Sequence, residues 1–522
     1  MKEDKRFNKN LIRLPLDYKG AAELAEIRVS IPSIIVDPAN DIEIDIGLEL
    51  LDKYGFHIPD LKADLELEIE GGSGEIQSSL RFKPEYDSHY KIKAVVSERG
   101  KVYRIRVRDK VTGIEAISNP GWCPEVSYAD FGLFWGDLHA HRIQVPSTKM
   151  NDPLLWSYGP ATVDEFYQYA RDVMNLDFAA LTDHDYCLNV DEWRQIQDGA
   201  QYYNQPGRFV TFLGYEWAYN FGPSTDHGHR VILFEKDNMP LISSSWKGSN
   251  STYDLFSIFD RLSGNGMDIL SIPHHPARLC HKIWLNWESY AQKYDRLGEI
   301  FSLWGSCEKE GEPYILKNTY VGMFDKVENL QFPAGTSKDE IPFEATGHFL
   351  QNGLELGYKI GFVGGSESHD GRAGGSVMHG QYPLKKLSHR HYKGGLTGIW
   401  ARRKDRESLW SSLWNRRTLA TTGVRIIAYM QIDNQDIGST ILTKHAPNKL
   451  KANVHGTGAL LKVTVVRNNE DWYTVEKPGW DCAFELDDLP MLKKGGTDWY
   501  YLRVTQEDGN MAWTSPGWVK FI

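Results

Sequence analysis

Five short stretches of the chain end an apolar run in histidine or acid: Asp137-Leu138-His139-Ala140-His141, Thr182-Asp183-His184-Asp185, Gly214-Tyr215-Glu216, His274-His275-Pro276 and Ser366-Glu367-Ser368-His369-Asp370. Residues two apart on a strand point to one face, so His139 and His141 can address one centre, as can Glu367 and His369. Imidazole mixed with carboxylate suits Zn, Mn or Fe rather than Ca or Mg alone. A single HxH or ExH in a strand is ordinarily surface or satisfied core. Five such signals at successive strand ends point together to one metal site.

A site of this kind needs a scaffold that delivers strand ends to one place. Residues 25 to 118 alternate apolar and polar in segments such as AEIRVSIPSIIV, DLELEIEGG, HYKIKAVVS and KVYRIRVRD, the period of half-buried strands, and predict a β-sandwich-like domain over residues 1–130. The segment ISNPGWCPEVS supplies the turn chemistry of its exit. From Phe131 apolar strands alternate with helical stretches, which predicts parallel βα units. FWGDLHAH leads into a helix VDEFYQYARDVM, with Thr162 and Glu165 as a capping box, and then strand LDFAAL. The rhythm continues through FVTFLGYEW, HRVILFE, helix DLFSIFDRLS, DILSIPHHP, EIFSLWGS, helix HFLQNGLELG, KIGFVGGSESHD, strand LTGIWA and helix RESLWSSLWNRR, whose end is marked by Thr421-Thr422-Gly423. The expected fold is α/β: a distorted, TIM-like β/α barrel over residues 131–423, whose strand C-termini build the site, followed by a β-rich domain over residues 424–522.

Composition narrows the partners. A net charge of −11 and the lack of a long Lys/Arg run argue against nucleic acid. No stretch approaches the roughly 18 apolar residues that span a bilayer, so no membrane partner is expected. The first residues, MKEDKRFNKNLIRLPLDY, lack the apolar core of an export signal. Five scattered cysteines, Cys123, Cys187, Cys280, Cys307 and Cys482, form no CxxC pair, and a reducing cytoplasm fits them. GxSxG, GxxxxGK[ST] and post-strand GxGxxG are absent, which removes support for serine-nucleophile, NTP and dinucleotide chemistry. The 12% aromatic content, with 17 tryptophans, decides nothing, since most large aromatics are core.

Over about residues 133 to 423 the motifs resemble the PHP superfamily (polymerase and histidinol phosphatase), with its DLHxH, TDHD, GxE, His before Pro and closing acid-x-His. The longer signatures FWGDLHAH, GYEW, PHHP, GSESHDGR, RRTLATTG and QEDGNMAWTSPGW resemble a bacterial PHP-like subfamily known as domain of unknown function 3604. The resemblance implies a distorted barrel holding two or three divalent ions and hydrolysing phosphoesters. Carried over by position, it implies His139 and His141 as ligands from the first motif, His184 from the second, Glu216 as the acid bridging two metals, His229 shortly after it, His275 before proline, and Glu367 with His369 as the closing pair. His274 stands as the alternate to His275, while His227 and His281 are near but unassigned.

Two departures matter. After DLHxH the family has Ser-Asp-Gly, whereas this chain has Arg142-Ile143-Gln144-Val145-Pro146-Ser147-Thr148 and no acid or histidine before Asp152, which leaves a third metal without one expected ligand. The closing pair has Glu367 where Asp is usual.

Metal-bound hydroxide is the expected nucleophile, because a bound cation brings the pKa of its water from 15.7 towards roughly 7. Candidate catalytic residues are Glu216, Asp183 and Arg372. Asp137, Asp183, Asp185 and Asp370 could orient imidazoles or could serve turns and caps. Arg372 could clamp an anion, as could Arg142, the ordinary alternative being a surface ion pair. The segment from His379 to His391 reads as a loop over the site or a solvated basic loop. The leading expectation is a phosphoesterase acting on a small anionic molecule; the alternatives are cleavage of an amide, lactone or sulfate ester, or a binding protein with a vestigial barrel.

Overall fold

The computed structural model describes residues 23–35, 41–53, 55, 57–58, 61–83, 89–124, 131–142, 162–218, 227–264, 267–279, 284–311, 313–314, 316, 344–369, 371–374, 392–447, 449–487, 489–490 and 495–522. Asp152, Cys280, His281, Asp370 and the 379–391 segment lie outside the described residues.

The N-terminal region forms two antiparallel sheets. In one, strand Ile42–Leu51 pairs with Glu26–Ser30 and His89–Val96; in the other, Ala63–Glu70 pairs with Ser79–Phe82 and Lys101–Asp109. The alternation read from ADLELEIE is a real face: Leu65 and Leu67 are buried among Ile44, Ile46, Ile105 and Val107, while Glu66 and Glu68 face out.

In the central region Gly132–Ala140, Phe178–Leu181 and Val210–Trp217 run parallel, and the last two are buried along their whole length, as strands covered on both faces must be. Strand Val210–Trp217 then pairs antiparallel with His229–Phe234, which pairs antiparallel with Ile269–His274. A separate sheet holds Leu297–Ser302 parallel to Gly361–Gly364. Single parallel bridges knit the two sheets at Ser271↔Asp295 and Ala140↔Ser368. The fold is thus mixed α/β and strand-rich, with five α-helices among the described residues. It departs from an even βα alternation at Val210–Trp217 and its antiparallel neighbour His229–Phe234, between which no helix lies among the described residues, an antiparallel pair needing no crossover.

The Thr162–Glu165 capping box forms reciprocally: the Glu165 amide donates to Thr162 Oγ1 and the Thr162 amide to Glu165 Oε2, each at 3.1 Å. Helix Arg406–Trp414 stops sooner than its pattern suggests, because Arg416 takes a positive φ of 58°. Thr421 does not mark a helix end but closes strand Thr418–Thr421, which pairs with both Leu396–Ala401 and Met511–Thr514. Through that strand the central sheet continues into the C-terminal strands, including the long hairpin Lys449–Arg467 and Glu470–Asp487.

Two polar clusters tie the regions together. Glu308, fully buried, accepts from Arg503, Tyr501 and Trp513 of the C-terminal strands. Arg104 of the N-terminal region donates to Asp481 at 2.9 and 3.3 Å and to the Gly456 carbonyl, while His455 Nδ1 lies 2.9 Å from Asp481. Burial alone would raise the Asp481 carboxyl, but His455 and Arg104 outweigh it and lower it to about 2. A carboxyl held below its unfolded value of about 3.9 stabilises the fold above that pH, and the contribution is lost as the pH falls towards 2. Asp481 is 42% exposed, so solvent screens part of it. The urea midpoint of Asp481→Asn should therefore fall less steeply than that of the unsubstituted chain between about pH 4 and pH 2. Parallel pH profiles would show that the ion pair contributes nothing.

Candidate metal centre

The centre is organised around one carboxylate. Glu216 lies in the fully buried strand Val210–Trp217 and is 1% exposed. Three imidazoles crowd its Oε2: His184 Nε2 at 3.1 Å, His141 Nε2 at 3.2 Å and His139 Nε2 at 3.5 Å. Two others face its Oε1, His229 Nδ1 and His274 Nε2, each at 2.8 Å. Each oxygen of one buried carboxylate therefore has its own set of nitrogens.

The elements explain the convergence. The strand from Gly132 ends by presenting His139 and His141 two residues apart, 5.2 Å between ring centroids. His184 leaves the strand Phe178–Leu181, forms a parallel bridge with Glu216, and stacks on His141 at 4.5 Å. His369 closes the same group at 4.4 Å from the His141 ring; its Nδ1 lies 2.8 Å from the Glu367 carbonyl, and a proton on Nδ1 would leave Nε2 as the acceptor. On the other side His229 and His274 sit opposite one another in the antiparallel pair, and His275 lies 3.7 Å from the His274 ring. Glu367 lies near His274 Nδ1, at 3.8 Å, and accepts from Ser302 Oγ at 3.2 Å. Both His275 and Glu367 hold positive φ, 34° and 48°, a strained backbone that persists where the surroundings impose it, as functional sites do.

Every proposed ligand thus lies in one neighbourhood: His141 with the partly exposed His184 and His369 on one side, the buried His229, His274 and His275 on another, with His139, Glu216 and Glu367 among them. The proposed catalytic acid Asp183 points elsewhere. Its Oδ1 accepts from the Arg142 amide at 2.9 Å and its Oδ2 from Arg142 Nε at 2.5 Å, which also occupies the arginine considered as an anion clamp. Asp137 ties the first strand to the closing loop, accepting from the amides of His139, Ser366 and Gly374, and Asp185 accepts from Ala218, Ser243 and Ser244. Burial raises both carboxyls, Asp185 to about 6. His227 contacts Thr252, outside the cluster. Arg372, three residues after His369 in the chain, is buried.

Two features escaped the sequence reading. Glu299, in strand Leu297–Ser302, places Oε2 2.9 Å from His139 Nδ1 and belongs with His139, His274 and Glu367 to one group of candidate ligands. The one sign of it was an acid inside an otherwise apolar run, LGEIFS. Arg278, three residues after His275, is buried with its guanidinium 3.5 Å from the Trp304 ring centroid.

The donor set fits divalent cations. Glu216, Glu299 and Glu367 are each at most 3% exposed, and a buried carboxylate is costly unless neutralised. Burial holds Glu299 above the usual carboxylate range and pushes Glu367 up to about 8. It also lowers His184 to about 3 and His274 and His275 well below the usual histidine range, which favours the neutral ring a metal requires. His139 is the exception: burial opposes its charge, but Glu299 and Glu216 outweigh that and raise it. Among the described residues, His141 Nδ1, His274 Nδ1 and His275 Nδ1 are buried without a hydrogen-bond partner.

Comparison with known proteins agrees in part with the sequence reading. The chain is similar to uncharacterized proteins of Chlamydia pneumoniae, 27% identical over 97% of this chain and 75% of that one, and of Chlamydia trachomatis, 26% identical over the same shares. Among solved structures it is similar to a two-domain protein of Bacteroides vulgatus containing a predicted PHP-like metal-dependent phosphoesterase, at 12% identity and a TM-score of 0.35, covering 74% of this chain and 96% of that one. A likeness that slight fixes neither fold nor activity. No helix among the described residues is long and apolar enough to cross a membrane. The family described as "Protein of unknown function (DUF3604)" matches residues 161–449, and with more than half of its 522 residues so matched, the chain belongs to that family.

Proposed function

We propose that the protein is a metal-dependent phosphoesterase that holds two divalent cations, of Zn, Mn or Fe, on the two sides of Glu216. One observation carries this reading: Oε2 of Glu216 faces His139, His141 and His184, while Oε1 faces His229 and His274. Bound cations would supply an acidified water and stabilise charge developing on the substrate. The chain's own residues hold the donors in register. Glu216 spans the two histidine groups; His369 and His275 complete them from the closing loop and the turn after strand Ile269–His274.

A phosphoester is favoured over other bonds by two buried arginines close in sequence to the cluster, Arg372 after His369 and Arg278 after His275, because the planar guanidinium fork matches phosphate oxygens in pairs. In this assignment Arg372 orients the substrate anion, and Asp183 acts indirectly by fixing Arg142 and the backbone after His141. The substrate is a small anionic molecule of the cytoplasm.

The test is a substrate panel on metal-stripped protein reloaded with Zn, Mn or Fe(II). Phosphomonoesters and phosphodiesters should turn over, with inhibition by inorganic phosphate and loss of turnover on chelation. Turnover confined to amides, lactones or sulfate esters would replace the proposed bond, and turnover unaffected by chelation would refute the metal-dependent reading.

A further inference from the structure

We infer, on the reading that the cluster holds cations, that Glu299 is a positioning residue that fixes two histidines at once, one with each carboxylate oxygen. His139 and His274 stand side by side, 4.3 Å between ring centroids, in the space between two buried carboxylates. Each turns Nε2 towards Glu216, at 3.5 and 2.8 Å, and Nδ1 towards Glu299, at 2.9 and 3.9 Å. An ionised carboxylate only accepts hydrogen bonds, so the arrangement selects imidazoles protonated on Nδ1. Both Nε2 lone pairs are then presented on the Glu216 side, where the cations are proposed.

Three further facts fit this role. Glu299 Oε1 and His274 Nδ1 are both buried without a hydrogen-bond partner among the described residues, and they face each other. Their 3.9 Å separation is a loose form of the contact already made by Oε2, and such contacts are often long until the site is filled. The competing carboxylate, Glu367, has Oε2 3.8 Å from His274 Nδ1, but that oxygen already accepts from Ser302 Oγ at 3.2 Å, whereas Glu299 Oε1 has no other partner among the described residues. Gly365 also leaves room for the pair: a Cβ there would sit 2.2 Å from Glu299 Oε2 and 2.8 Å from His139 Cβ.

The experiment uses the full chain, stripped of metal and titrated with Co(II) against a competing chelator, for the unsubstituted protein, Glu299→Gln, Glu299→Asp and Glu299→Ala. Glutamine keeps one acceptor oxygen and the side chain's volume, so it holds one imidazole and should lose about tenfold in Co(II) affinity; alanine releases both and should lose about a hundredfold. Aspartate, with two oxygens on a shorter arm, should fall between. The visible absorption of bound Co(II) should change in all three variants, a readout that loss of packing alone would not move. Unsubstituted affinity in the alanine variant, or a lowered metal-free melting temperature with an unchanged Co(II) spectrum, would overturn the positioning role. Failure of the unsubstituted chain to take up Co(II) would overturn the metal reading and this inference together, a result distinct from either of those.

Discussion

Glu216→Gln should retain the fold and lose both the bound cations and hydrolysis, with turnover reduced by at least about a thousandfold. The carboxylate is reached by five imidazoles, three on one oxygen and two on the other. Burial works to raise its pKa, yet the surrounding histidines hold it well below the usual carboxylate range, so it is the fixed negative charge of the centre. Glutamine matches its volume but turns an amide nitrogen, a donor, towards one histidine group. Neither group then has a shared anion, and the cation site facing the amide nitrogen also loses a ligand. Packing around the strand is unchanged, so circular dichroism and the metal-free melting temperature should stay near those of the unsubstituted chain. Elemental analysis and turnover on the best phosphoester of the panel measure the effect. A variant with full metal content and unaltered turnover would remove Glu216 from the centre.

The largest effect on stability belongs elsewhere. Glu308→Ala should destabilise the protein by about 3–5 kcal/mol, because it leaves a buried guanidinium without its main counter-charge. Arg503 Nη2 lies 2.6 Å from Glu308 Oε1, Nε contacts both carboxylate oxygens at 2.8 and 3.0 Å, and Tyr501 and Trp513 donate at 2.5 and 2.7 Å. Arg503 is 7% exposed and, among the described residues, would keep Asp471 alone as an acidic partner, itself half exposed. Since these donors come from the C-terminal strands, their loss should loosen the attachment of that region to the central sheet. Urea denaturation of the two proteins side by side measures it. A shift under about 1 kcal/mol would mean that the buried pair is nearly neutral, its desolvation cost cancelling its attraction.

Much of the centre was legible because its residues sit where strand periodicity ends. His139, His141, His184, Glu216, His229, Glu367 and His369 all lie in one neighbourhood, and the period of two that joins His139 to His141 is a property of any strand. The pair at the end of strand Ile269–His274 was harder. Two adjacent histidines cannot be told apart by alternation when a positive φ at His275 turns the chain, and the structure brings His274 Nε2 against Glu216 with His275 beside it. Glu299 was illegible for a different reason: a charged residue within an apolar strand reads as an interruption until the partner that neutralises it, here His139, is known. Asp183 shows the converse. Its place beside His184 suggested chemistry, but consecutive residues leave a strand end in different directions, and its oxygens meet Arg142.

The fold was readable element by element and less so in its connections. Strand positions and the Thr162 capping box follow from local pattern, whereas the antiparallel run from Val210–Trp217 through His229–Phe234 to Ile269–His274 does not, since a buried strand has the same apolar signature in either direction. The extension of the central sheet through Thr418–Thr421 into Met511–Thr514 is a pairing between segments far apart in the chain, which no local pattern records.

The most direct test of the account is anomalous X-ray diffraction from crystals of the metal-loaded protein, recorded at the absorption edge of the bound metal. Two peaks should flank Glu216, one within bonding distance of Oε2 among His139, His141 and His184, the other beside Oε1 and His229. Peaks remote from Glu216, or no peak in crystals grown and soaked with the metal, would contradict it.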